Sequence, residues 1–230
     1  MLSLCKNSDQ VHFVFDSYIE GSVKDSGRCR RYQSHPIDIH ILDDNTPIPL
    51  DISTFWTSNR NKQKLQGLLI EHILKLDLDC VILSAYMMNG DMVPSKEVNR
   101  PGTIDDVNVD IEEADISIFP HAKYALKRGG KILVILSNDT DVIVGLIYHC
   151  YDLLKGLKEL WFRAGVGTTT RFIPVHVLVN NLGSMCKQIP AMRCLTGHAA
   201  NSKFGTKLSA IKQLPVANIL NFGSDPRSRS

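Results

Sequence analysis

The sequence lacks the patterns that mark membrane and secreted proteins. No run of about 18 apolar residues occurs, so no transmembrane helix is predicted. The first residues, MLSLCKNSDQ, lack a basic start followed by an apolar core, so no signal peptide is predicted either. The six cysteines include no CxxC pair, and the 230-residue chain is too long for a small disulfide scaffold. We therefore expect reduced thiols in an intracellular protein, nuclear or cytoplasmic, without a membrane partner.

The chain also has little net charge. Its 26 Lys and Arg nearly balance 24 Asp and Glu, which leaves a net charge of +2. A basic surface for nucleic acid would therefore have to be local. Hydrophobic residues make up 43% of the chain, an ordinary value for a soluble globular domain with a sizeable core. The sequence leaves the oligomeric state open.

Strand-like and helix-like segments alternate along the chain, which predicts an α/β fold with a mainly parallel central sheet. The predicted strands cover 11–15, 37–42, 79–84, 131–136, 158–164 and 170–175. The predicted helices cover 59–75, 110–128, 142–154, 176–182 and 189–195, followed by a last helix that closes the domain. Residues 87–108 are turn-rich and predict a loop. We expect one domain over 1–215 and a disordered tail over 216–230.

The predicted helix 110–128 has clear end signals and one internal breaker. Asp110 is placed to cap its start, and Gly129 with Gly130 to end it. Pro120 should kink or split the helix, because proline removes a donor and clashes with the preceding turn. The strand 131–136 follows at once and has five consecutive apolar residues, so we expect it to be fully buried.

Carboxylates gather at three places in this pattern. Asp16 ends the first strand, Asp139 and Asp141 follow the strand 131–136, and Glu112, Glu113 and Asp115 lie on the first turns of the helix that feeds that strand. Ligands of open α/β sheets bind beyond the carboxyl ends of the strands. Carboxylates in one cleft repel each other unless a cation neutralises them, and Mg²⁺ or Mn²⁺ prefers such oxygen ligands. Two such ions can promote phosphodiester displacement.

Each place also has a simpler interpretation. Asp16 can be a turn residue, and Asp139 or Asp141 can cap the helix that begins near Val142. The acidic residues of the earlier helix can complement its dipole. The three places together, rather than any one of them, indicate a metal site.

Several segments together resemble one superfamily. They read "VHFVFDSY", "KDSGRCRR", "DIEEAD", "KILVILSNDTDVIVGLIYH", "ELWFRAGVGTTTRFIPVH" and "IPAMRCLTGHAANSKFG". In this order they resemble the PIN-like nuclease superfamily, in its flap-endonuclease-like branch, and in particular uncharacterised animal proteins associated with mobile elements. The resemblance covers residues 11–212.

The resemblance implies a three-layer PIN-like fold and a metal-dependent nuclease site. It implies catalytic roles for Asp16, Glu113 and Asp139. It implies Mg²⁺ or Mn²⁺ ligands at Asp16, Glu112, Glu113, Asp115, Asp139 and Asp141. It implies contacts to DNA or RNA from Lys24, Arg28, Arg30 and Arg31, for which a solvated basic helix face is the alternative.

The sequence departs from this pattern at two expected ligands. Family members read "GCDTTS" where this chain has "GHAANS", so Ala199 stands in the place of an aspartate and His198 precedes it. An earlier strand that carries a further aspartate has no counterpart before Val11, where Asp9 is the sole acidic residue. We therefore expect a truncated and degenerate member with weak or no cleavage, because lost ligands weaken metal sites severely.

Two other functions stay open. "DTDV" is similar to the signature of haloacid-dehalogenase-type phosphatases, in which Asp139 would be the nucleophile and Asp141 the general acid. A non-catalytic interaction module would explain the lost ligands. Two weaker features have simple structural interpretations: Gly165–Arg171 predicts a hairpin turn, and Trp56 and Trp161 are expected to pack in the core. The eight histidines show no spacing typical of metal ligands.

Overall fold

A computed structural model describes residues 5, 7–18, 38, 43, 45–47, 49–88, 91–109, 111, 113–152 and 155–196. These residues form a mixed α/β protein with small mixed sheets. The chain divides into two compact units, Met1–Tyr124 and Ala125–Ser230, which we name the N-terminal and C-terminal units. No helix of the described residues is long and apolar enough to cross a membrane.

The N-terminal unit is built on two parallel strands. Its elements are β1 (Val11–Phe13), α1 (Ile52–Phe55), α2 (Asn59–Ile73), β2 (Val81–Leu83), β3 (Tyr86–Met88), β4 (Asp91–Val93), β5 (Lys96–Glu97) and most of α3 (Ala114–Lys127). Strand β2 pairs with β1 in parallel and with β5 antiparallel, and β3 pairs with β4. Helix α2 has apolar residues at helical spacing. Its Ile70 and Ile73 pack against Val81 and Leu83 of β2 and Tyr86 of β3.

The C-terminal unit holds a second sheet with helices on one face. Its elements are β6 (Ile132–Leu136), α4 (Thr140–Asp152), β7 (Glu159–Ala164), β8 (Arg171–Pro174), α5 (Val175–Leu182) and α6 (Ile189–Thr196). Strand β7 is central, parallel to β6 and antiparallel to β8. The buried side chains of β7, Leu160 and Phe162, lie in a core that also includes Leu146 of α4 and Val175 of α5.

Most predicted elements are present within a few residues of their predicted bounds. The predicted strands 11–15, 79–84, 131–136, 158–164 and 170–175 are confirmed, as are the helices 59–75, 142–154, 176–182 and 189–195. The glycine end of α3 is also confirmed. Gly129 has φ +96°, and its N–H and that of Gly130 return to the carbonyl oxygens of Leu126 and Ala125, each at 2.9 Å. The predicted strand 37–42 apart from Asp38, together with Asp110, the last helix and the tail, lies outside the described residues.

Two local predictions are wrong, and the split predicted as one of two outcomes at Pro120 does not occur. The loop predicted over 87–108 contains β4, β5 and part of β3, and Asn89-Gly90 between β3 and β4 was the overlooked hairpin signal. Helix α3 begins at Ala114, because the Glu113 carbonyl accepts the N–H groups of Ile116 and Ser117 at 3.2 and 3.0 Å. Pro120 does not split α3, which continues to Lys127.

The prediction of a fully buried β6 is also wrong. Ile132, Val134 and Leu136 are 53%, 40% and 38% exposed, whereas Leu133 and Ile135 between them are half-buried. Successive strand side chains point to opposite faces, so helices on one face of the sheet leave every second residue of β6 in solvent.

Candidate functional site

Asp16 lies beyond the end of β1 and is fixed to the start of α3. Its Oδ1 accepts the backbone N–H of Ala114 at 2.9 Å, across 98 positions of sequence. The Tyr18 hydroxyl approaches its Oδ2 at 3.5 Å, and Gln66 of α2 donates to its carbonyl oxygen at 3.2 Å. The carboxylate therefore satisfies an N–H group that the helix leaves without a partner at its positive end.

Glu113 and Asp115 flank this contact. Both are half-buried, and they precede and follow Ala114 in the chain. Asp115 lies in the first turn of α3, whereas Glu113 lies just outside the helix, so its predicted place within the first turns is corrected. The structure thus brings Asp16, Glu113 and Asp115 to one helix start, while Glu112 lies outside the described residues.

Asp139 caps helix α4, as the simpler interpretation predicted. Its Oδ1 accepts the N–H of Asp141 at 2.8 Å, and its own N–H donates to Ser137 Oγ at 3.0 Å. The preceding Asn138 accepts the N–H of Gly165 through Oδ1 at 2.7 Å. These bonds order the loop between β6 and α4 from both sides.

Asp141 lies in the first turn of α4 and pairs with a cation. Its Oδ1 is 2.7 Å from Nε of Arg193 on α6, and the same guanidinium donates to Thr140 Oγ1 at 3.1 Å. Both side chains are partly exposed, so we expect the pair to contribute at most about 1 kcal/mol. The pair neutralises the charge that was predicted to bind a cation.

Replacement of Asp139 should separate its capping role from its charge. We expect Asp139→Ala to lower the free energy of unfolding by about 1 kcal/mol, because an orphan N–H of α4 loses its acceptor. Asp139→Asn is the matched control, since asparagine caps a helix about as well as aspartate. Urea denaturation followed by circular dichroism measures both. Equal losses in the two variants would contradict the capping role.

The predicted ligands suit a hard cation in their chemistry. Carboxylate oxygens are the ligands that Mg²⁺ and Mn²⁺ prefer. Within the part of the chain that the structure describes, however, no group of three or more His, Cys, Asp and Glu side chains could hold a metal ion. The predicted nucleic-acid contacts and the substituted motif lie outside that part, namely Lys24, Arg28, Arg30, Arg31, His198 and Ala199.

A buried histidine pair was missed by sequence analysis. Nδ1 of His12 on β1 lies 3.0 Å from Nδ1 of His121 on α3, and the two rings meet edge to face with centroids 5.2 Å apart. The His121 residue is 3% exposed. Burial, with a smaller contribution from His12, lowers the pKa of His121 from 6.5 to about 3. A separation of 109 positions hides such a pair from any local pattern.

The remaining candidates have structural roles. The turn after β7 connects β7 to β8 as predicted, whereas the core prediction for Trp56 is wrong, since it is 45% exposed. Trp161 is half-buried, and its Nε1 donates to Glu159 Oε2 at 2.9 Å.

Burial, with a smaller contribution from Cys186, raises the pKa of Cys150 to about 11. Such a thiol is protonated at neutral pH and makes a poor nucleophile.

Comparison with known proteins adds no assignment to this geometry. No protein-family model, curated protein or solved structure matches the chain. The functional interpretation therefore depends on the acidic residues, their contacts and the motifs of the sequence.

Proposed function

We propose that the chain is a PIN-like domain of nuclease type, with a three-layer fold around a mainly parallel central sheet. Its ancestral chemistry is hydrolysis of phosphodiester bonds in DNA or RNA, dependent on Mg²⁺ or Mn²⁺. Cleavage by this chain is weak or absent, because Ala199 offers no ligand where family members have an aspartate.

One contact carries the proposal. The hydrogen bond from Ala114 N to Asp16 Oδ1, at 2.9 Å, links the end of β1 to the start of α3. This contact agrees with the proximity that the resemblance implies for the first two acidic groups. The positive end of α3 also favours negative charge at this place.

The role of a metal ion is limited by the geometry. A divalent cation would supply charge neutralisation and an activated water. No group of three potential ligands converges within the described residues. What the chain itself provides is an anchored Asp16 with Glu113 and Asp115 adjacent to its hydrogen-bond donor. That arrangement supports weak cation binding better than efficient catalysis.

The contacts of Asp139 and Asp141 favour the nuclease-type proposal over the phosphatase alternative. In the phosphatase, Asp139 would attack phosphorus while Asp141 donates a proton to the leaving group. Here Asp139 is engaged as a helix cap, and Asp141 Oδ1 is held at 2.7 Å by Arg193. These contacts engage the nucleophile and the general acid of the phosphatase mechanism in structural roles.

Thermal denaturation with added metal tests the proposal. We expect Mn²⁺ at tenfold its dissociation constant to raise the melting temperature by about 4 °C, because a ligand that binds only the native state stabilises it. Asp16→Asn should reduce this shift. Asparagine retains an oxygen that can accept the Ala114 N–H, so the variant removes charge without removing the cap. Asp9→Asn makes the same change at an exposed position and should leave the shift intact.

Cleavage of nucleic acid provides the second measurement. Flap, single-stranded and hairpin DNA, each also as RNA, are incubated with the full chain and Mn²⁺. We expect slow cleavage or none, and any cleavage should fall in Asp16→Asn and persist in Asp9→Asn. The absence of both a metal-dependent shift and cleavage would overturn the proposal. Turnover of a phosphomonoester without cleavage of nucleic acid would favour the phosphatase instead.

A further inference from the structure

Among the described residues, helices pack on one face of the sheet in the C-terminal unit and leave the other face uncovered. Cross-strand partners share a face, so the register places eight residues on it, and we name this set the outer face. The outer face consists of Ile132, Val134 and Leu136 of β6, Glu159, Trp161 and Arg163 of β7, and Phe172 and Pro174 of β8. The opposite face carries the buried residues Leu160, Phe162 and Ala164.

The outer face is more apolar than a solvated sheet face should be. Ile132, Val134, Leu136 and Phe172 are 53%, 40%, 38% and 47% exposed. Ile132, Val134 and Leu136 follow one another along the same face of β6. Trp161 lies half-buried between Val134 and Pro174, and Arg163 lies between Leu136 and Phe172. A row of exposed apolar side chains with Glu159 and Arg163 beside it offers a partner both apolar contact and charge.

We propose that the outer face binds the outer face of a second copy of this chain. The charges along β7 complement those of a second copy. Glu159 and Arg163 lie on either side of Trp161, each two residues away on the same face. A twofold axis that crosses the strands through Val134 and Trp161 reverses the strand direction in the partner. Glu159 of each copy then faces Arg163 of the other, as a self-complementary interface requires.

The same axis pairs the apolar residues. Ile132 faces Leu136 of the other copy, while Val134 and Trp161 each face their own equivalents. Two sheets packed in this way lie about 10 Å apart, a distance that facing side chains fill. The alternative axis, parallel to the strands, would place Glu159 against Glu159 and Arg163 against Arg163. Like charges opposite each other disfavour that arrangement.

The two charged residues of β7 differ in their contacts within the described part of the chain. Glu159 is held by the Trp161 N–H at 2.9 Å, which fixes it beside the central ring. The half-buried Arg163 forms no ion pair within the described part of the chain. A carboxylate from a second copy would satisfy this guanidinium, and burial between two sheets would strengthen the pair.

The size of the face predicts a weak dimer. A strand of five residues and a width of three strands cover about 16 by 14 Å. Stable complexes bury about 800 Å² on each partner, so this face alone supports a reversible association. Sedimentation velocity of the full chain over a wide concentration range should therefore show a monomer and dimer in exchange.

Charge-swapped variants test the geometry directly. Arg163→Glu places two carboxylates on each outer face, and Glu159→Arg places two guanidinium groups there. We expect each variant alone to dimerise at least tenfold more weakly than the natural chain, because like charges meet. An equimolar mixture of the two variants should regain association, since every cross-interface pair is then opposite in sign.

A matched control lies on the same sheet. Arg171 pairs with Ala164 and so lies on the face opposite Arg163, where Arg171→Glu should leave dimerisation unchanged. Circular dichroism establishes that each variant is folded, and Val134→Lys provides a second disruption at an exposed position. A natural chain that stays monomeric throughout would overturn the proposal. So would a dimer that Arg163→Glu does not weaken, or variants that fail to associate when mixed.

Discussion

Acidification from pH 7 to pH 4 is expected to lower the free energy of unfolding by about 3 kcal/mol through His121. The cause is desolvation, since the imidazole is 3% exposed and its nearest polar neighbour is another imidazole. A positive charge on His121 would also lie beside the His12 ring, which lowers the pKa of His121 further. In the unfolded chain His121 is in water and away from His12, so it binds a proton with its ordinary pKa.

The pH window follows from the two pKa values of His121. Its pKa is about 3 in the folded protein and 6.5 as an ordinary histidine. Above pH 6.5 the ring is neutral in both states and contributes no pH dependence. Below that value the unfolded state binds more protons than the native state, so stability falls as pH falls, down to the folded pKa.

Urea denaturation at a series of pH values measures this effect. His121→Asn removes the titration and retains a polar atom near the position of Nδ1, so its stability should change less between pH 7 and pH 4. His72→Asn makes the same change at an exposed position of α2 and should retain the pH dependence of the natural chain. A natural chain and His121→Asn with parallel pH profiles would contradict a buried His121 that stays neutral in the folded protein.

Local sequence signals predicted where helices and strands lie better than they predicted which of their side chains are buried. Helix α2 was predictable because Ser58 caps it and apolar residues recur at helical spacing. The exposure of the β6 side chains was not predictable, because an apolar run looks the same whether helices cover one face of the strand or both. Which faces are covered depends on where distant helices pack, and local sequence patterns do not determine this.

The candidate site shows the same limit. The acidic residues were visible in the sequence, and the contact of Asp16 with Ala114 agrees with the expected proximity of the first two groups. Arg193 as the partner of Asp141 was not foreseen, because 52 positions separate them and nothing local distinguishes this arginine from a surface one. The histidine pair was overlooked for the same reason. Long-range pairs are set by tertiary packing, which local patterns leave undetermined.

The turn between β7 and β8 should be intolerant of a side chain at Gly165. This residue has φ +84°, and a Cβ built on it would overlap the backbone carbonyl of Thr169. We expect Gly165→Ala to lower the free energy of unfolding by about 3 kcal/mol, from backbone strain and overpacking together. Gly167 in the same turn has φ +55° and nothing within 4 Å of its Cβ position. Gly167→Ala should therefore cost only about 1 kcal/mol.

Gly165→Ala should also affect the loop between β6 and α4, which contains Asn138 and Asp139. Gly165 donates its N–H to Asn138 Oδ1 at 2.7 Å, and Asn138 precedes Asp139. A turn that opens to admit a methyl group weakens this bond and loosens the cap on α4. Hydrogen exchange at the Asp141 N–H, which Asp139 Oδ1 accepts at 2.8 Å, should therefore accelerate in Gly165→Ala but not in Gly167→Ala. Equal exchange and equal urea midpoints in the two variants would show that the turn does not position Asp139.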